Sequence, residues 1–291
     1  MNSELSISPD NIVVYTAIFN DYDVLLRPRK VSYDVDYICF TDNPDIVPDP
    51  WQAKKVVPDF ESMKRESARY KFLPHKHFPK HDLSIWVDGN IHVLEQPERI
   101  ISDLLGDSNL AVSPHPERNC IYDEAEALIR LGKSNPEPTR EQINKYRQAG
   151  LPQNFGLSST GVLIRRHHHT EVITVMEKWW DEFMSETSRD QLSFEYVAWE
   201  NTFNYSHVNL DFDEDGDYFF RVNHKPSGIW GVLWEKLVRQ RETLSGTPLF
   251  LSHVGASSIY YMYRINCILR QDGASELLRS VGNTVRRWID D

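Results

Sequence analysis

Cysteine is scarce in this chain of 291 residues: Cys39, Cys120 and Cys267 stand far apart, and no C-x-x-C pair occurs. That argues against a disulfide framework or a cysteine zinc site and fits a reducing compartment. Long apolar runs are missing too. Nothing approaches the roughly 20 residues a membrane-spanning helix needs. The start, "MNSELSISPDN", has neither the basic nor the apolar region of a secretory signal. The expectation is a soluble, cytoplasmic chain with no transmembrane segment. Positive charge is in deficit as well: 32 Lys and Arg against 43 Asp and Glu leave a net charge of -11. Nucleic acid is therefore not an expected partner, because phosphate backbones need neutralising cations. A local basic pocket for a phosphorylated ligand remains compatible. GxSxG, GxxxxGK[ST] and GxGxxG are all absent, which removes support from serine hydrolases, P-loop kinases and Rossmann dehydrogenases.

What is present is an ordinary globular composition, 40% hydrophobic and 26% charged, in a chain long enough to bury a large core. "IVVYTAI" (Ile12–Ile18), "VDYICFT" (Val35–Thr41) and "LSIWVD" (Leu83–Asp88) read as strands buried on both faces. "NLAVSP", "STGVLIR", "HVNLDF" and "PLFLSHV" read as further strands. Helical spacing lies between them. Val172, Met176, Trp179 and Phe183 repeat along one face, with Thr170 as N-cap, and Ser188 caps a helix in "RDQLSFEYVAWENTF". Strands alternating with helices give an α/β fold with a mostly parallel sheet. The Pro-rich "SNPEPTREQ" (Ser134–Gln142) is expected as a loop. From Ile229 to Ile289 the chain is helix-prone, in stripes that pack on the sheet or touch a membrane surface peripherally. The division expected is a core over 1–225 and a helix-rich extension over 226–291, within one compact domain.

Ligands of open α/β sheets bind beyond the carboxyl ends of the strands. Polar groups follow four expected strands: Thr16 to Asp23 in "TAIFNDYD", Asp42 and Asn43 in "FTDN", Asp88 and Asn90 in "VDGN", and His253 in "LSHVG". Any of them alone could be a loop residue. Asp88 has two readings: a hairpin-type "DG" turn, or a hard-metal ligand fixed at the end of a rigid strand. In the second, Gly89 admits a ligand close to the backbone and Asn90 supplies a second oxygen. Upstream, "MKRESARYKFLPHKH" places Lys64, Lys71 and His75 near one helical face and Arg65 and Arg69 on the next. That is either a solvated basic face or a cradle for phosphates. "SRDQLSF" puts Arg189, Asp190 and Gln191 at a helix start, where an acid also suits the dipole. Two motifs are set aside. "DFDEDGDYFFRV" has Val222 where a calcium loop needs a bidentate Glu. His167–His169 are adjacent, and neighbours along a chain point apart.

With those residues in place, the sequence resembles the glycosyltransferase-like family that includes plant mucilage-related proteins, once a domain of unknown function. The matching pieces are "YTAIFNDYD", "DYICFTDN", "ARYKFLPHKHFPKHDLSIWVDGNI", "HPERNCIYDEAEA", "GLSSTGVLIRRH" and "SRDQLSFEYV". They run in the family's order over roughly residues 12–200. The resemblance implies a GT-A-like, Rossmann-type sheet and a nucleotide-sugar donor. It implies donor contacts from Thr16, Ala17, Phe19, Tyr22 and Asp42, and the basic stretch read above would then turn Arg69, Lys71 and His75 toward the donor's phosphates. "DGN" stands where such enzymes carry D-x-D, so Asp88, with Asn90 and the His253 of "HVG", is the implied ligand set for Mn²⁺ or Mg²⁺. Asp190, with Gln191 and Arg189, falls where glycogenin-like relatives touch the transferred sugar. His115, Arg118 and Glu124 match positions in the acceptor or sugar pocket.

The expected function is metal-assisted transfer of a sugar, from a uridine diphosphate donor by preference, to a glycan or lipid-linked acceptor. The glycogenin-like parallel implies retention. Asp190 would orient the donor sugar or act as base. Two other classes stay open. Basic groups beside Asp88 also suit a metal-dependent phosphoesterase, and a non-catalytic sugar-binding module could keep the same fold.

Overall fold

The computed structural model describes residues 11–187, 189–213, 216–226, 229–243 and 262. The chain forms two compact units, Met1–Val222 and Asn223–Asp291. The first opens with β1 (Ile12–Ile18), β2 (Asp36–Thr41) and β3 (Gln52–Lys55), which pair in parallel. β1 is buried throughout, as its unbroken apolar run requires. β3, "QAKK", is exposed throughout, and its lysines blunt the sheet edge against further pairing.

Two helices follow, α1 (Met63–Phe72) and α2 (Pro74–His77). Ser62 caps α1 by accepting from the Arg65 N–H at 3.4 Å. Pro74 ends it, having no N–H with which to continue. The basic stretch is thus two helices, and His75 leaves the face that Lys64 and Lys71 share. β4 (Leu83–Val87) then pairs in parallel with β1. A tight turn, with the Ile91 N–H donating to the Asp88 carbonyl at 2.8 Å, leads to β5 (Ile91–Val93).

Next come α3 (Pro97–Ile100), β6 (Leu110–Pro114), α4 (Ile121–Arg130) and α5 (Pro136–Ala149). α5 corrects the loop expected over 134–142. Pro136 and Pro138 fall in its first turn, where a missing N–H breaks no bond, and Gly150 closes it at φ +98°. β7 (Ser158–Arg166), α6 (Thr170–Ser185), α7 (Asp190–Glu200), β8 (Ser206–His207) and β9 (Phe219–Arg221) complete the unit. His169, not Thr170, is the N-cap of α6; Ser188 lies outside the described residues. The strand expected in "HVNLDF" is only β8. It pairs with β6 through Ala111 and Val112, next to the β-bulge at Val112/Ser113 that turns β6 away.

The main sheet runs β3-β2-β1-β4-β7-β6-β8, and β5 and β9 form a separate antiparallel pair. β7 alone runs against its neighbours β4 and β6. This is the mostly parallel, helix-flanked α/β sheet expected. Strand order reverses between β1 and β4, which places the ligand crevice beyond Ile18 and Val87. β7, being antiparallel, brings its beginning to that same edge. One apolar core holds Tyr15, Phe72, Trp86, Trp179 and Phe194, and another holds Val14, Ile85, Ile91 and Phe219. No described helix is long and apolar enough to cross a membrane. In the second unit, α8 (Ile229–Thr243) buries Trp234 and Val238 and pairs Glu235 with Lys225 at 2.7 Å.

Candidate functional site

Asp88 is the first residue beyond β4, held by its N–H donating to the Gly161 carbonyl at 2.8 Å. Its Oδ1 accepts from the Trp86 indole at 2.9 Å and from the Lys71 ammonium at 3.4 Å. Lys71 comes from the last turn of α1 and donates a shorter bond, 2.7 Å, to Asp190 Oδ2 at the start of α7. Thr160, on β7, donates to the same oxygen at 2.7 Å. A strand end, two helix ends and the antiparallel strand therefore meet at one buried lysine.

Burial alone would pull Lys71 toward its neutral form, but Asp190 and then Asp88 outweigh it and lift its pKa above the ordinary lysine value. Burial likewise raises the Asp190 pKa, and Lys71, Lys64 and the Thr160 hydroxyl more than reverse it, holding this carboxyl well below the usual range. Lys64, two turns before Lys71 on the same face of α1, is held down to about 8 by desolvation, which the fields of Asp190 and Asp88 only partly oppose. Arg189, at the N-cap position of α7, adds to that lowering. Gln191 follows it, half-buried.

Both glycines near Asp88 are dictated by close approach. A Cβ on Gly89 would stand 2.8 Å from Ile18 Cγ1 and 3.1 Å from Asp23 Cβ. That space is therefore filled by β1 and its loop and admits no ligand, which corrects the sequence reading. A Cβ on Gly161 would stand 3.2 Å from Asp88 Oδ2 and 3.5 Å from an Arg221 terminal nitrogen. Ile91 Cδ1 would be nearer still, at 3.0 Å, so Gly161 is where Asp88 Oδ2, Ile91 and Arg221 close together rather than an open space. Asn90 is buried, and its amide donates to the Val222 carbonyl at 2.9 Å.

For a divalent cation, Asp88 Oδ2 is a suitable oxygen, whereas Oδ1 is already shared and the Asn90 amide ties down Val222. Among the described residues no group of three His, Cys, Asp or Glu side chains is placed to hold a metal ion. What the described residues offer a cation there is the one carboxylate oxygen of Asp88. His253 lies outside the described residues.

The other sequence candidates separate into groups. His115, Arg118 and Glu124 do converge, just beyond β6. The Arg118 Nε donates to Glu124 Oε2 at 2.5 Å, and His115 Nε2 lies 3.8 Å from the same oxygen. Thr16, Ala17 and Phe19 are buried in β1 and just past it, and the Thr16 hydroxyl has no described hydrogen-bond partner. Tyr22, by contrast, is 63% exposed. Asp42 accepts the Asn20 N–H with both oxygens, at 3.0 and 3.1 Å, and so clamps the loop after β1 at its left-handed Asn20 and Asp21. Arg69 turns from the cleft to Asp59 at 2.6 Å and Glu66 at 2.9 Å. His75 faces Glu177 of α6 at 3.3 Å. Of the cations the sequence offered, these partners leave Lys71 in contact with Asp88 and Lys64 within its field, rather than Arg69 and His75.

Four supporting residues went unread in the sequence: Arg165, Glu195, Ser158 and Thr160. Arg165 is wholly buried on β7 and donates to the Lys71 carbonyl at 2.7 Å and to the Tyr15 hydroxyl. It fixes the backbone from which Lys71 projects. Glu195, also wholly buried, accepts from Ser158 at 2.6 Å and from Tyr205 at 2.5 Å. Ser158 and Thr160 share one face of β7, so Glu195 and Asp190 clasp α7 to that strand at two points. The signal was a Ser-x-Thr pair at Ser158 and Thr160 and, separately, the acids Asp190 and Glu195 flanking "QLSF", which read equally well as solvent-facing polarity.

Residues 51–218 match the sequence profile of the TOD1/MUCI70 glycosyltransferase-like domain. The chain is 27% identical to the probable hexosyltransferase MUCI70 of Arabidopsis thaliana, over 64% of this chain and 37% of that protein. It is 26% identical to the alkaline ceramidase TOD1 of the same plant, over 64% of this chain and 48% of that protein. The chain thus spans less than half the length of these curated relatives. Among solved structures, the bifunctional glycosyltransferase WbbM has a TM-score of 0.41 at 11% identity, covering 72% of this chain and 39% of that one. Mouse xyloside xylosyltransferase 1 has a TM-score of 0.38 at 8% identity, covering 68% and 84%. With the family profile matched over more than half of its length, this chain belongs to the TOD1/MUCI70 glycosyltransferase-like family.

Proposed function

We propose that the chain transfers a sugar from a nucleoside diphosphate sugar, a uridine diphosphate sugar by preference, to a glycan or lipid-linked acceptor. The observation that carries this reading is the Lys71 ammonium set between Asp88 and Asp190 at the carboxyl edge of the sheet, 3.4 and 2.7 Å away. Lys64 and Arg189 stand in the same field. A cationic cleft of this kind suits a leaving diphosphate, whose charge grows as the sugar departs. The family and the hexosyltransferase relative support the same reaction class.

In this reading Lys71 and Lys64 face the diphosphate. Asp190 orients the donor sugar; a carboxylate held so far below its ordinary range is a poor proton acceptor. His115, Arg118 and Glu124 bound the sugar or acceptor side, and exposed Tyr22 offers its ring to the base. Asp88 would hold Mn²⁺ or Mg²⁺ through Oδ2, with the substrate completing the shell. Such a cation, when bound, neutralises phosphate charge.

A second reading comes from the ceramidase relative, hydrolysis of a ceramide amide. It leaves the cluster of cations without a purpose, since a ceramide carries no phosphate. Thermal shift with Mn²⁺ and a panel of nucleoside diphosphates, nucleoside diphosphate sugars and ceramides tests both. Stabilisation by a nucleoside diphosphate is expected. Stabilisation by ceramide alone, or hydrolysis of simple phosphoesters with no nucleotide response, would overturn the proposal.

A further inference from the structure

We propose that Arg221 is a donor-binding residue, the cation that grips the diphosphate on the far side of Asp88 from Lys71. This rests on the glycosyl-transfer reading. Arg221 lies beyond the segment that matches the family profile, which ends at residue 218.

Backbone pairing delivers it there. β9 lies antiparallel to β5 with Arg221 opposite Ile91, three residues after Asp88. The Arg221 N–H also donates to the Phe212 carbonyl at 3.0 Å, and its guanidinium stacks over the Phe212 ring at 4.4 Å. The side chain is therefore pre-aimed, with little rotamer freedom left to lose on binding. Its tip closes on Gly161 beside Asp88 Oδ2 and Ile91. Lys71 approaches the other oxygen, Oδ1. The two cations thus bracket one carboxylate.

The guanidinium has spare capacity. Among the described residues no carboxylate comes within ion-pair distance of it, and Asp88 acts on it only through its field. Its charge reaches the other pocket as well, contributing to the lowered pKa of His115 after burial and nearer groups. Its field thus couples it both to Asp88 and to the His115–Arg118–Glu124 cluster. An arginine fork matches phosphate oxygens in pairs, so a phosphate held beside Asp88 would satisfy it.

The test is calorimetric binding of UDP, GDP and uridine to the full chain and to its Arg221→Met and Arg221→Lys variants. The Met variant is expected to weaken diphosphate binding by about tenfold to a hundredfold while leaving uridine binding and melting temperature unchanged. The Lys variant is expected to fall between. Unchanged diphosphate affinity in the Met variant overturns the assignment alone. So does an equal loss of uridine and diphosphate binding, which would mark a structural role. A wild-type chain that binds neither UDP nor GDP overturns the glycosyl-transfer reading, and this assignment with it.

Discussion

The Lys71 ammonium donates to Asp190 Oδ2 at 2.7 Å, tying the end of α1 to the start of α7. Lys71 is nearly fully buried, whereas Asp190 keeps 26% of its side-chain surface exposed. The pair thus closes the floor of the cleft with one face still open to a ligand. Removing the lysine leaves the two carboxylates without the cation that bridges them.

Lys71→Met should therefore destabilise the first unit by about 2–4 kcal/mol, at the lower end for a broken buried pair because Asp190 remains partly solvated. Adding Asp190→Asn should recover part of that loss. Denaturant unfolding of the two single variants and the double variant checks this. Equal stability of wild type and Lys71→Met would contradict it.

Asp88→Ala should lower turnover on the order of a hundredfold or more with little change in melting temperature, since Asp88 is half-exposed at a strand end. Chelation should lower turnover comparably, with recovery on adding Mn²⁺ or Mg²⁺. Initial rates before and after chelation, set beside the variant's, check both.

Lys64 makes binding pH-dependent. Its folded pKa is about 8 against an ordinary 10.5, so it loses charge as pH rises through about 8. Diphosphate affinity should fall over that range. The unfolded chain holds this proton up to about 10.5, so the same group makes stability rise between those values. Affinity and stability should therefore move in opposite directions, which separates this effect from alkaline unfolding. Lys64→Arg should flatten the affinity profile.

Acid should destabilise the fold well above the carboxylate range. Burial lowers His167 to about 3 and His77 to about 4, from 6.5. Both are neutral when folded and charged when unfolded, so stability falls as pH drops below 6.5 and keeps falling toward 3. The depressed Asp190 adds its own loss below its ordinary value of 3.8. His77 packs against Tyr70 at 4.7 Å, so His77→Phe keeps the ring and removes the proton. Its melting temperature should decline less steeply on acidification.

Much of this site was legible because its carriers end regular elements. Asp88 follows a continuous apolar strand, and Asp190 opens a helix, so both could be placed by pattern. Thr160 and Arg221 were not, because their position depends on β7 running backwards through an otherwise parallel sheet and on β9 pairing with β5. Local sequence encodes neither. Arg69 and His75 shared the basic stretch with Lys71, yet charge alone did not reveal that Asp59, Glu66 and Glu177 would claim them. α5 was missed for a local reason: its prolines sit in the first turn, where they are harmless. His167 and His168 also met where neighbours were expected to diverge, since both ring nitrogens reach the Phe78 carbonyl, at 3.2 and 3.1 Å.

The central claim is that the cleft of Asp88, Lys71 and Asp190 transfers sugar from a nucleoside diphosphate donor. Its most direct test is release of nucleoside diphosphate from a panel of nucleotide sugars with Mn²⁺, measured for wild type and for Asp88→Ala. The account predicts release by wild type with at least one donor and its loss in the variant. Release that survives Asp88→Ala, or no release from any donor, would contradict it.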